Sequence, residues 1–184
     1  LAFVRRNMKV KTIITDEGTR SDKTEYPIKA VREIILNALI HRDYSVHTDH
    51  SPIRLIMYED RLELENPGGL YGRITINDLG KVSADTRNPY LAGAMEIMGN
   101  TENRFSGIPT VRAELKKSGL PDPVYIDRRG VFKVILYKST ATYNRDVDME
   151  QEILDYCMTP RSREELAEKF GFTTPTYFIK IYIN

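Results

Sequence analysis

AVREIILNALIHRDYS, Ala30 to Ser45, reads as a helix running into a turn, and its polar residues fall at an unusual interval. Glu33, Asn37 and His41 recur every fourth position, so at 3.6 residues per turn they stack along one side. Val31, Ile34, Ile35, Leu36, Ala38, Leu39 and Ile40 take most of the remaining circumference. That leaves a polar stripe of roughly 80°, with Arg32 apart from it. A surface helix carries a broad polar face. So narrow a seam between apolar flanks either lines a cleft or forms a buried hydrogen-bonded network.

Working outward, KVKTIITD (Lys9 to Asp16) alternates like a strand, EGTRSDKT supplies turn chemistry, and KTEYP offers a returning strand. Pro27 suits the start of the long helix. HRDYSVHTDHS is a polar connector. PIRLIMYEDRLELEN is the clearest hairpin, its runs Ile53 to Tyr58 and Arg61 to Glu65 meeting at Glu59-Asp60 and ending in Asn66-Pro67-Gly68-Gly69. ITINDLGK predicts a short helix, and RNPYLAGAMEIMG a second one starting near Asn88 with Pro89 in its first position. GNTENRFSG is a glycine-containing loop. IPTVRAELKKSGLP predicts a helix stopped by Gly119 and Pro121, and DPVYIDRRGVFKVILYK two strands around Arg128-Arg129-Gly130.

With the short ITINDLGK helix left out of the count, the order ββ-α-ββ-α-α-ββ predicts an α+β domain over residues 1–138, a mainly antiparallel sheet with helices on one face. The polar run Ser139 to Asp148 reads as a linker. Residues 149–184 then predict three short helices with a break at Gly171, the cadence of a partial, winged-helix-like helix-turn-helix.

Composition excludes more than it selects. With 184 residues and a net charge of +1, the chain has no bulk attraction for nucleic acid or membrane. Its single cysteine, Cys157, excludes an internal disulfide framework and fits a reducing, cytoplasmic setting. No apolar run approaches a membrane span, and LAFVRRNMKV is too short and too basic for a signal peptide. A start without Met and a stop inside YFIKIYIN lead us to expect a piece of something longer.

Most familiar catalytic layouts are missing from the sequence. There is no G-x-x-x-x-G-K-[ST] loop, since Gly80-Lys81 is followed by Val82, and no G-x-S-x-G elbow. One Cys and three His cannot build a zinc finger, and His47 and His50 in the polar connector are read as solvated rather than metal-binding. What remains is the Glu33/Asn37 pair and the glycines after the hairpin. A carboxylate can orient and deprotonate a water, an amide oxygen can ligate Mg²⁺, and glycine lets backbone approach a ligand closely. On spacing alone, a buried seam with a glycine-rich strand exit explains the same residues at least as well.

E-x-x-x-N on a helix, a hairpin ending in glycines, then a lid-like helix and loop resemble the Bergerat (GHKL, HATPase) ATP-binding fold. That is the fold of gyrase, heat-shock chaperones, mismatch-repair ATPases and histidine kinases. More closely, REIILNALIHRDYS, DRLELENPGGL, RNPYLAG, SGIPTVRAELKKSGLPDPVY and GVFKVIL, in that order, are similar to the RecG-like helicase C-terminal module. That module is found behind AlbA-type, Schlafen-like DNA-binding domains in transcriptional regulators. The resemblance spans about Ala30 to Leu136.

The resemblance implies ATP and Mg²⁺ as ligands, with Glu33 as the catalytic carboxylate that activates water and Asn37 as the Mg²⁺ ligand. Asn66 falls where the wider fold has an aspartate that accepts from the adenine amino group. Gly68 and Gly69 flank the base, and Arg87 and Asn88, before a helix N-terminus, meet phosphates. Gly107, in ENRFSGI, stands alone where the lid's second glycine motif has more than one. A helicase motor usually runs on a P-loop, so helicase activity itself is not expected.

From Glu150 to Asn184, six acidic residues stand against four basic ones, a net of −2, which is a thin footprint for DNA. Thr176, Tyr177 and Lys180 are its candidate DNA contacts, with a dimerisation or sensor helix set as the simpler account. The sequence therefore leads to a nucleotide-responsive regulatory module of a DNA-binding transcriptional regulator. Its partners are nucleotide, DNA through the full-length protein and a homo-oligomeric copy, with no membrane. A degenerate scaffold and a slow Mg-dependent ATPase are the two competing readings.

Overall fold

The computed structural model describes residues 1–14, 18–82, 85–98 and 107–171. The chain divides into two compact units, Leu1–Thr140 and Ala141–Asn184. The first contains α1 (Ala2–Asn7), β1 (Val10–Ile14), β2 (Arg20–Thr24), α2 (Ile28–His41), β3 (Arg54–Met57) and β4 (Arg61–Pro67). It continues through a 3₁₀ turn at Ile76–Asp78, α3 (Pro89–Ile97), α4 (Gly107–Lys117), β5 (Val124–Arg128) and β6 (Val131–Tyr137). α5 (Thr140–Tyr156) and α6 (Arg163–Phe170) follow.

Four strands form one antiparallel sheet in the order β3-β4-β6-β5, while β1 and β2 form a separate two-stranded sheet. Tight turns set both hairpins of the larger sheet. Tyr58 donates its N–H to the Arg61 carbonyl at 2.8 Å across Glu59-Asp60. Arg129 and Gly130 have φ of 52° and 70°, the left-handed pair that lets a two-residue turn follow the twist of its strands.

Period-two alternation separates the faces of β4 and its neighbours. Leu62, Leu64 and Asn66 lie opposite Leu136, Val134 and Phe132 of β6, on the face turned to the helices. Leu62, Leu64, Val134 and Leu136 join Ala30, Val31, Ile34 and Ala38 of α2 and Val111 and Leu115 of α4 in one buried cluster. Each large apolar side chain removed from water there contributes about 1.5–3 kcal/mol before entropy is counted. Two layers result, a sheet and the helices over one of its faces.

The opposite face carries a ladder of charge. Lys133 Nζ lies 2.7 Å from Glu63 and 2.8 Å from Glu65, with Arg61 at 2.7 Å from Glu63 and Arg54 at 2.7 Å from Glu65. Although Glu63 is buried, burial's upward push on its carboxyl is overcome by the bonds from Lys133 and Arg61, which leave it below the ordinary value.

Three expectations of detail shift. The opening turn is the helix α1, and the strand expected at KTEYP ends at Thr24, with Glu25 to Pro27 forming a bend around the fully buried Tyr26. The segment read as a linker is helical from Thr140, as the first half of a 17-residue helix. Neither glycine nor proline interrupts that stretch, so polarity alone did not stop the helix. α6 begins with a capping box, Ser162 accepting from the Glu165 N–H, and ends at the left-handed Gly171. The third helix expected after it, with Thr176, Tyr177 and Lys180, lies outside the described residues, as does the expected lid from Asn100 up to Gly107.

Candidate functional site

One side of the polar stripe on α2 opens onto a cleft between the helices and the sheet. Asn37 and His41 line it from α2, Leu64, Asn66, Phe132 and Val134 from β4 and β6, and Gly68 to Tyr71 from the strand exit. Ile34, Ala38, Leu79 and Ile108 add apolar wall, and Gly80, Val82, Asp85 and Gly107 complete the rim. The cleft has a volume of about 130 Å³, widening to about 980 Å³ when its open mouth is included. At about 30 Å³ per water, even its inner part has room for several waters.

Asn66 stands at the floor of the cleft. The residue is 3% exposed, and its Oδ1 is buried with no hydrogen-bond partner among the described residues. Leaving such an acceptor unpaired costs about 1–3 kcal/mol. Its position follows from alternation: as the third inward residue of β4, after Leu62 and Leu64, it cannot turn to solvent.

The glycine corner next to Asn66 is held by the protein itself. Gly68 has φ +91°, donates its N–H to the Gly130 carbonyl at 2.8 Å, and leaves no room for a Cβ, which would sit 2.6 Å from that of Asp43. Asp43, in the HRDY turn after α2, donates its own N–H to the Pro67 carbonyl at 2.9 Å. Its carboxyl accepts from the Ser45 N–H, which draws it below the usual aspartate range. At Gly69 a Cβ would lie 2.6 Å from Asp127 Oδ1, while Asp127 Oδ2 accepts the Leu70 N–H at 3.2 Å. The glycines thus answer to Asp43 and Asp127 even as they line the cleft.

At the other end, α4 begins against Asn37. A Cβ on Gly107 would lie 2.9 Å from Asn37 Nδ2, so glycine is what allows the helix start to meet that amide. The start of an 11-residue helix carries a partial positive charge and N–H groups without an intrahelical acceptor, Pro109 contributing none. His41 is partly exposed, and burial pushes its imidazole below the ordinary histidine value, so it is neutral at pH 7. Among the described lining residues no Lys or Arg appears. The cleft can therefore seat a flat, mostly uncharged group against Asn66, with the start of α4 as its electropositive end and Asp85 as an acidic lining residue.

The other expected site residues stand elsewhere. Glu33 is buried, with Arg32 Nη1 3.7 Å from its carboxylate, and is not among the residues lining the cleft. Arg87 donates to the Gly69 carbonyl at 3.2 Å, sits 3.7 Å from Asp43 and stacks 5.0 Å from the Tyr71 ring centre, bracing the corner from outside. Asn88 donates its amide hydrogens to the carbonyls of Ile40 and Arg42, at 2.9 and 2.7 Å, tying the start of α3 to the end of α2. Among the described residues no three His, Cys, Asp or Glu gather as a metal site. Sequence reasoning did not single out Asp43, Asp85, Asp127 or the wall residue Phe132. The strand register of DRLELENP against GVFKVIL would have pointed to Phe132, which pairs with Asn66.

These features define an α+β sandwich with a ligand-sized cleft between its layers. Residues 50–136 match the family model described as "Putative ATP-dependent DNA helicase recG C-terminal". Asn66, Gly68, Gly69, Arg87, Asn88 and Gly107 fall inside the matched segment, whereas Glu33 and Asn37 precede it. The chain is also similar to the solved structure of the DIP2311 protein from Corynebacterium diphtheriae. The two are 26% identical, with a TM-score of 0.65, over 74% of this chain and 27% of that one. This chain thus spans about a quarter of the length of that relative. No curated protein matches it. No described helix is long and apolar enough to cross a membrane.

Proposed function

We propose that the chain is the nucleotide-responsive regulatory module of a longer DNA-binding regulator, binding ATP with Mg²⁺ in the cleft above Asn37. The observation that carries this reading is Asn66, which lines an open, mostly apolar cleft and whose buried Oδ1 has no hydrogen-bond partner among the described residues. An adenine amino group supplies the donor that this oxygen lacks, and the apolar walls suit the faces of the ring. Gly107 and the first turn of α4 would receive phosphate oxygens. Asn37 would contribute one amide oxygen to Mg²⁺, phosphate oxygens and water supplying the rest. Bound nucleotide brings its own charge and a hydrolysable bond to the site. Arg87 and Asn88 act by holding the corner and the α2–α3 joint in place.

DNA enters the reading through the DNA-helicase name of the matching family and through the regulators that the sequence resembles, with Thr176, Tyr177 and Lys180 as the candidate contacts. A slow ATPase would need Glu33 to reach a water at the phosphates, and its burial beside Arg32 weighs against turnover in this conformation. Isothermal titration with ATP and Mg²⁺ tests the proposal. Saturable heat without phosphate release is expected, and Asn66→Leu should weaken binding roughly tenfold to a hundredfold. Silence at millimolar nucleotide would leave the chain a scaffold.

A further inference from the structure

Asn66 brings an amide to a place where a carboxylate would have fixed the chemistry of the partner. A carboxylate only accepts, whereas an amide accepts at one end and donates at the other. Those two ends match a ring edge that presents a donor beside an acceptor. The 6-aminopurine edge offers an exocyclic N–H next to a bare ring nitrogen. The 6-oxopurine edge offers a carbonyl next to a ring N–H. Each is the reverse of the other, and turning the amide through 180° converts the complement of one into the complement of the other within the same volume.

Such a turn is resisted only where the protein bonds one end of the amide. Asn88 illustrates the fixed case, its nitrogen held by two carbonyls. Asn66 is the opposite case, because its buried oxygen has no partner among the described residues. Its neighbours across and along the strands, Leu64, Phe132 and Val134, are apolar and prefer neither orientation.

We propose that the cleft admits 6-amino and 6-oxo purine nucleotides alike, Asn66 reading either edge by amide reversal. This rests on the nucleotide reading above and adds the class of base that the site accepts. Titrations of the intact chain with ATP and with ITP, both with Mg²⁺, test it; ITP carries the 6-oxo edge without the 2-amino group that could pair in another register. Wild-type dissociation constants are expected within about tenfold of each other.

Asn66→Asp, which cannot donate to the 6-oxo group, should lose ITP relative to ATP by about tenfold or more. Purine riboside triphosphate, lacking any 6-substituent, should bind wild type more weakly than either, and that comparison needs no variant to fold. A wild-type preference beyond about tenfold for one base overturns the inference while leaving the nucleotide reading intact. So does an Asn66→Asp protein, folded by circular dichroism, with an unchanged ATP to ITP ratio, or a purine riboside that binds as well as ATP. Failure of both ATP and ITP to bind overturns the inference together with the reading beneath it.

Discussion

Glu33 and Asn37 are one helical turn apart, yet they end in different surroundings: Asn37 looks into the cleft and Glu33 is buried beside Arg32. Their shared stripe was readable because it depends only on helical pitch. Which part of the stripe meets open space was not, because that is decided by where α4 begins, far along the chain. Gly68 shows the same limit. Its role as a glycine corner was visible in NPGG, but the reason for glycine is the approach of Asp43, a contact no local spacing encodes. Gly68→Ala should therefore cost about 3 kcal/mol, strain at positive φ adding to overlap with Asp43. Gly130→Ala, also left-handed but with open space around it, should cost only about 1 kcal/mol. Urea unfolding of the two variants makes the comparison.

Elements with their own punctuation were read well from sequence. Both hairpins of the larger sheet, the proline-led start of α3 and the glycine stop of α4 depend on turn and cap residues lying next to the element they bound. Polarity misled at Thr140 to Asp148, where helix-compatible residues without a breaker outweigh hydrophilicity. On the outer sheet face, the depressed carboxyls of Glu63 and Glu65 give stability a direction in pH. Their folded values lie below 4.5, so the unfolded chain takes up protons first. Their contribution is in place above that value and is lost as pH falls through the lower folded values. Melting temperature recorded from pH 7 to 3 should fall most steeply below about 4.5. Glu63→Gln should flatten that fall after costing about 1–3 kcal/mol at neutral pH, by leaving a buried cation short of a partner. Asn88→Ala should cost about 1–3 kcal/mol for the two carbonyls it releases at the end of α2, seen as a lower urea midpoint.

Across the whole molecule, every described residue lining the cleft falls between Ile34 and Val134, inside the first unit. Nucleotide at a hundred times its dissociation constant should stabilise that unit by about 2.7 kcal/mol, raising the melting temperature of the chain. The same gain should disappear in Asn66→Leu. The α+β class was available from element order alone, since hairpins separated by helices leave few other ways to bury one sheet face. The existence of the cleft was not, because a hollow is what packing leaves unfilled, and no residue pattern records it.

Asn66 belongs to β4, which pairs with β6 from Arg61 to Pro67 and with β3 from Leu62 to Glu65. A strand enclosed in this way gives up its amide protons to deuterium last, through cooperative opening of the sheet rather than local breathing. The floor on which a base would rest is thus built before any ligand arrives, and binding has little ordering left to impose on it. Deuterium uptake should be slow along Leu62 to Asn66 with or without nucleotide, so that protection newly acquired on binding reports the rim at the start of α4.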